Sequence, residues 1–159
     1  MLVHQTAEVI RDSIEVPEGL HDIIIQRAYM RDKGAFMTDW HEEHIKEFKL
    51  IAEVARGIAN EHSDTYDMKL THLWGQLYNE GDFQESHDHV PHDYTFVFYV
   101  NTPEGSSPIV FDSSMEEIQP TSGMLLVFPG WVKHSVPKNK CEGRSIIAGN
   151  LSVPDNIYP

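Results

Sequence analysis

From about residue 65 onward the chain is cut into short apolar and β-branched runs, with Gly, Pro, Asn and Asp between them. The turn signals recur about every eight to twelve residues, a rhythm that leaves room for strands of five or six residues and little else. Residues 73–78 alternate in character and run into the turn Asn79-Glu80-Gly81-Asp82. Strands are expected at 94–100, 109–111, 123–129, 135–137 and 144–151. A turn-rich connection falls at 101–108 and a polar loop at 112–122. The stretch ahead of this region reads differently. An edge strand is expected around 8–11. Pro17 suits the first turn of a helix carrying Leu20, Ile23, Ile24 and Ala28, which Gly34 ends. Thr38-Asp39 looks like the start of a second helix, and Trp40, His44, Phe48, Ile51, Val54, Ala55 and Ile58 recur at helical spacing over 40–61. The fold class expected is mainly β with N-terminal helices (α+β), built as a sandwich or barrel. One domain is expected over 1–159, with 1–64 as helical support and 65–155 as the β core. No repeat or low-complexity tract divides it.

Charge and composition narrow the function. The formal net charge is −13, which repels phosphate backbones and disfavours nucleic acid as a partner, although Lys133, Lys138 and Lys140 form a local basic group. No apolar run is long enough to span a membrane, and 1–13 lack the pattern of a secretory signal. The single cysteine, Cys141, forms no internal disulfide and fits a reducing, cytoplasmic setting. Cys141 also has no histidine close in sequence to activate it. The Asn150-Leu151-Ser152 sequon carries no weight without a secretory signal.

The chemistry concentrates in 81–99, where His87, His89 and His92 precede an aromatic strand. Side chains alternate along an extended chain, so His87 and His89 share a face and can share a metal ion. His134, after the Phe128-Pro129-Gly130 turn, is the best third ligand. Three protein ligands on one side leave open positions on the other, as a catalytic metal requires. Asp88 points to the opposite face. Asp93 has the right parity but lies about 13 Å from His89 along a straight strand, unless the chain bends at Pro91. The ligand set is therefore either three histidines or histidines with a disguised carboxylate. His92 has the wrong parity and suits a supporting or substrate-facing role. Arg144 heads the last strand, and its planar fork suits a carboxylate. His41-Glu42-Glu43-His44 has the wrong spacing for a zinc-protease motif and reads as a solvated first turn of the long helix.

These residues carry a resemblance. Trp74 to Asn79, Gly81-Asp82-Phe83, His87-x-His89 before Phe98-Tyr99-Val100, Gly123-x-Leu125-x-Val127-Phe128-Pro129 with His134, then Arg144 and Asn150 occur in an order similar to that in the iron(II)- and 2-oxoglutarate-dependent dioxygenases. More closely, they resemble a small branch with a His-x-His first motif. The resemblance covers roughly residues 70–151. It implies a double-stranded β-helix (a jelly roll, cupin-like), Fe(II) at His87, His89 and His134, and 2-oxoglutarate with its far carboxylate on Arg144. It further implies hydroxylation of an unactivated C–H of a small-molecule or peptide substrate, with release of succinate and CO2. The family's usual first motif is His-x-Asp, and its usual Arg-x-Ser pair is missing here. Tyr78, Gln76 and Asn150 are replacements for the lost cofactor contact by position alone. The spacing of Gly81 to His87-x-His89 also opens a cupin signature. The alternative is accordingly a cupin-type metalloprotein, a three-histidine dioxygenase or an isomerase without 2-oxoglutarate, in which Arg144 would point away from the metal. A third reading is a non-enzymatic jelly roll whose histidines do not converge. Trp74, Tyr94, Phe96, Phe98 and Trp131 are candidate walls or plain core. The 112–122 loop and the N-terminal helices are places where substrate choice can reside, and a homodimer is compatible with the sequence.

Overall fold

The computed structural model describes residues 9–32, 34–64 and 67–154. Eleven strands and two helices follow the order β1 (Ile10–Ser13), α1 (Leu20–Arg27), β2 (Met30–Asp32), β3 (Ala35–Met37), α2 (Lys46–Ser63), β4 (Lys69–Tyr78), β5 (Gln84–His87), β6 (Tyr94–Asn101), β7 (Ile109–Phe111), β8 (Glu116–Ile118), β9 (Met124–Pro129), β10 (His134–Val136) and β11 (Arg144–Ser152). A large sheet runs β1-β9-β6-β11-β4-β3-β2, and a small one runs β5-β10-β7-β8. The two face each other as a jelly roll, with every strand pairing antiparallel.

Strand parity divides the core in two. On β6, Phe96, Phe98 and Val100 face the helices, whereas Val97 and Tyr99 face the small sheet. On β11, Ile147 and Leu151 join the helix side, and Ile146 and Ala148 the inter-sheet side. Helix α2 closes the first layer with Phe48, Ile51, Ala52, Ala55 and Ala59, a stripe at three- and four-residue steps. Burying a side chain the size of Phe48 contributes about 2–3 kcal/mol.

The structure corrects several expectations. The first helix opens at Leu20, after Gly19 in the left-handed region (φ 81°), so Pro17 lies ahead of it. Gly34 lies between β2 and β3, which pair as a hairpin that extends the large sheet through β4. The N-terminal third thus contributes three strands as well as both helices. The second helix begins at Lys46, because residues 38–42 are zipped along β4 instead. The Thr38 N–H donates to the Gly75 carbonyl (3.0 Å), the Gly75 N–H to Thr38 Oγ1 (3.0 Å), and the Glu42 N–H to the Leu73 carbonyl (2.9 Å). Glu42 is not solvated but buried, and it accepts two hydrogen bonds from Arg27 at 2.8 and 2.9 Å. The polar 112–122 segment contains a further strand, β8. Of the strand expected around 8–11, residue 8 lies outside the described residues, and β1 occupies Ile10–Ser13.

Candidate functional site: a histidine triad between a slot and a cleft

β5 and β10 lie side by side in the small sheet, and their register sets His134 directly opposite His87. His89 lies past the end of β5, where its N–H donates to the Gly130 carbonyl (2.7 Å) and ties it to the turn between β9 and β10. The three imidazoles therefore converge from two strands and a turn. Their candidate ligand atoms all lie within 4.8 Å of one another. Ring centroids are 4.4 Å apart for His87 and His134, 5.1 Å for His87 and His89, and 5.2 Å for His89 and His134.

Hydrogen bonding fixes two of the tautomers. His134 Nδ1 meets the Val132 carbonyl at 3.0 Å and His87 Nδ1 meets the Glu85 carbonyl at 2.8 Å. A carbonyl only accepts, so Nδ1 carries the proton in both rings and Nε2 keeps the lone pair that a metal needs. Burial first, then the neighbouring His87 and His89, push His134 down to about 3. Burial first, then His87, push His89 down to about 4. The Asn150 carboxamide lies near enough to oppose part of the His89 shift, without a hydrogen bond of ordinary geometry. Both rings are thus neutral at physiological pH, ready to coordinate.

Two hollows meet at this triad, sharing Trp74, Gln76, Gln84, His87 and His89. The inner one is a narrow slot between the sheets that also reaches Tyr78, Tyr99, His134 and Arg144. Parity on β4 and β11 puts Gln76, Tyr78 and Arg144 there together. Arg144 is only 1% exposed. Its Nε donates to the Ser107 carbonyl (3.1 Å), and its guanidinium lies over the rings of Tyr78 (4.6 Å) and Tyr99 (5.4 Å). Its Nη1 is buried with no hydrogen-bond partner. Burial raises the Tyr99 pKa, and the adjacent Arg144 offsets part of that rise.

The outer hollow is a cleft of about 360 Å³ that adds Trp40, Asp88, Val90, His92 and Asn150. Asn150 thus lines the cleft rather than the slot, and its Nδ2 lies 3.2 Å from His72 Nδ1. Asp93 sits apart from the triad: its Oδ2 accepts the Val153 N–H at 2.8 Å. His92 Nδ1 contacts Ser152 Oγ (3.0 Å) and Thr71 Oγ1 (3.3 Å). Among the suggested aromatic walls, Trp74 lines both hollows. Phe96, Phe98 and Tyr94 face the helical layer, because alternation gives the site side of β6 to Thr95, Val97 and Tyr99. Trp131 is exposed and borders a separate hollow. Sequence reasoning missed Trp40, His72, Tyr99 and Gln84 as site neighbours. The 74–76–78 alternation already singled out one face of β4, but nothing marked that face as the inner one.

No family model matches the sequence, and no curated protein matches it. Solved structures do share the fold. A Pseudomonas putida prolyl-4-hydroxylase aligns with a TM-score of 0.70 at 18% identity, over 95% of this chain and 97% of that one. An oxidoreductase of the 2OG-Fe(II) oxygenase family from Burkholderia pseudomallei aligns at 0.67 and 10% identity, over 96% and 90%. HygX from Streptomyces hygroscopicus, solved with nickel, 2-oxoglutarate and hygromycin B, aligns at 0.68 and 12% identity, over 96% and 86%. At these identities the likeness is one of fold.

Proposed function

We propose that the protein is an Fe(II)- and 2-oxoglutarate-dependent dioxygenase that hydroxylates an unactivated C–H bond of a small-molecule or peptide substrate. The reaction consumes 2-oxoglutarate, O2 and the substrate C–H, and releases succinate, CO2 and the alcohol. The observation that carries this reading is Arg144. A buried cation with an unpartnered Nη1 is costly unless an anion completes it, and no ion pair among the described residues reaches it. It lines the same narrow slot as the triad, so a molecule with a carboxylate at each end satisfies both. The cupin alternative, with Arg144 turned away from the metal, lacks that support, as does a jelly roll with scattered histidines.

The donor set fits the metal. Three imidazoles suit Fe(II), with room for oxygen ligands on the open side. His87, His89 and His134 would hold the iron, and Arg144, with its unpartnered Nη1, would pair with the far carboxylate. When bound, the iron with its keto acid supplies the oxidising power that the side chains lack. The chain's own part is positioning and shelter. The Tyr78 and Tyr99 rings exclude water from the slot and strengthen the charge pairing at Arg144. Gln76 and Gln84, on the wall shared by slot and cleft, offer hydrogen bonds where cofactor and substrate would meet. The reaction would be sheltered in cytoplasmic conditions, where ferrous iron and 2-oxoglutarate are both supplied.

The test is an anaerobic titration of Fe(II)-loaded protein with 2-oxoglutarate, following the visible charge-transfer band of a chelated keto acid. The wild type is expected to develop the band, and His134→Ala to lose it. Arg144→Met is expected to need at least about thirtyfold more 2-oxoglutarate, since truncating one partner of a buried charge pair costs about 2–5 kcal/mol. Iron binding without a band would leave the metal site and remove the cofactor.

A further inference from the structure

The cleft outside the triad has a chemical bias of its own. Beyond the wall it shares with the slot it is lined by Trp40, Asp88, Val90, His92 and Asn150, with no Lys or Arg among its lining residues. Trp40 is a large aromatic residue left 41% exposed, and its ring packs on Trp74 at 4.8 Å. Beyond Trp40 a second hollow is lined by Asp39, His41 and His72. Asp88 Oδ1 accepts the Val90 N–H at 3.1 Å, which fixes the carboxylate and leaves Oδ2 for a ligand. Asn150 is 5% exposed, lines the cleft, and holds a buried Oδ1 with no hydrogen-bond partner. An unpartnered buried acceptor asks for a donor.

An indole face attracts cations, a carboxylate pairs with them, and an amide oxygen accepts their N–H groups. Anions find no Lys or Arg among the lining residues, and the net charge of −13 repels them at long range. We propose that this cleft binds its substrate through a protonated amine, held by the Trp40 indole and the Asp88 carboxylate with Asn150 Oδ1 accepting an N–H. The proposal rests on the dioxygenase reading for the word substrate, and on the cleft alone for the chemistry of binding. The neighbouring imidazoles do not oppose it: burial lowers the pKa of both His72 and His92, which leaves them neutral at physiological pH.

The experiment is an NMR titration of the metal-free protein, reading the indole N–H resonances of Trp40, Trp74 and Trp131. The probes are N-acetyl-lysine methylamide, its neutral isostere N-acetyl-norleucine methylamide, and N-acetyl-glutamate methylamide. The lysine probe is expected to shift Trp40 and Trp74 and leave Trp131 in place. The norleucine probe is expected to bind about tenfold more weakly, and the glutamate probe not at all. Asp88→Asn should weaken the lysine probe about fivefold and leave the norleucine probe as it was. Equal binding of the lysine and norleucine probes would overturn the proposal in favour of a neutral, stacking ligand. So would an Asp88→Asn variant that binds lysine normally, a Trp131 shift equal to the others, or no shift up to the solubility of the probe. The charge-transfer titration separates the two ideas. A band without amine binding removes only this inference, and amine binding without a band keeps the cleft's chemistry and removes the cofactor.

Discussion

Arg144 is a residue whose presence makes little sense for stability alone. It is buried, with a hydrogen bond to the Ser107 carbonyl, the Tyr78 and Tyr99 rings beside it and an unpartnered Nη1, but no carboxylate. Replacing a buried, poorly compensated charge by an apolar side chain of similar length is often neutral or stabilising by about 1–4 kcal/mol. Arg144→Met is therefore expected to keep or raise the melting temperature of the metal-free protein while abolishing stabilisation by 2-oxoglutarate, both readable by calorimetry. A fall of several degrees without ligand would make Arg144 structural instead. The triad gives a second prediction, for pH. His89 and His134 have native pKa values of about 4 and about 3, below the ordinary 6.5, so near pH 5 the unfolded chain binds more protons than the native one. Stability rises with pH wherever that holds. The stabilising contribution is complete above about pH 6.5 and is lost as the pH falls towards 4. Urea midpoints of the chelator-treated protein should drop across that window, and His134→Ala should flatten the drop. An equal slope in wild type and variant would refute the assignment.

At the scale of elements, the site depends on how the turn before β10 grips the turn after β5. Gly130 is the grip: its carbonyl accepts the His89 N–H at 2.7 Å and its N–H donates to the Asp93 carbonyl at 2.9 Å. A Cβ at position 130 would collide with the His92 carbonyl oxygen. Gly130→Ala is expected to push the 89–93 turn outward, cost about 1–3 kcal/mol in stability, and weaken metal binding by moving His89. Fe(II) affinity by competition with a chelator checks it, and unchanged affinity would show that the turn is not held this way. The same elements show what the sequence could reveal. The strands β4, β6, β9 and β11 were legible because each is long and bounded by turn residues. The triad was legible because two histidines two residues apart on an extended segment leave few other uses. β2, β3 and β8 were not: three residues carry too little periodicity to announce a strand by themselves, and the equally short β7 and β10 were picked out from the turn residues beside them. The start of α2 was misplaced because Thr38 and Glu42 looked like capping and solvated residues, yet tertiary pairing with β4 took their backbone groups. Nor could the sequence say which face of β6 held the site. Helices cover one side and the small sheet the other, so both faces are apolar and alternation loses its sign.

Across the whole molecule, the charge distribution and the site pull in different directions. A net charge of −13 on 159 residues is self-repulsive, and few surface ion pairs offset it among the described residues. The well-made pair is Arg27 with Glu42, which joins a half-exposed guanidinium to a buried carboxylate. Selection for a compact, stable molecule alone would trim the excess acid. An acidic exterior instead suits a cleft lined by the Asp88 carboxylate and by neither Lys nor Arg, since it draws cations in and keeps phosphate polymers away. Repulsion between exposed charges is screened over about 10 Å at 0.1 M salt, whereas a pair whose carboxylate is buried is screened less. The metal-free protein is therefore expected to gain stability as sodium chloride rises from a few millimolar to about 0.2 M. The increase in melting temperature should saturate once the screening length falls below the spacing of surface acids. Arg27→Ala should lower the melting temperature at every salt concentration by a similar amount, because it leaves the buried Glu42 carboxylate without this partner rather than altering the surface field; removing one partner of such a pair costs about 2–4 kcal/mol when the other stays buried. A melting temperature that falls on adding salt would mean that attractive surface pairs outweigh the net repulsion. In that case the acidic exterior would be a load-sharing network rather than a field directed at the cleft.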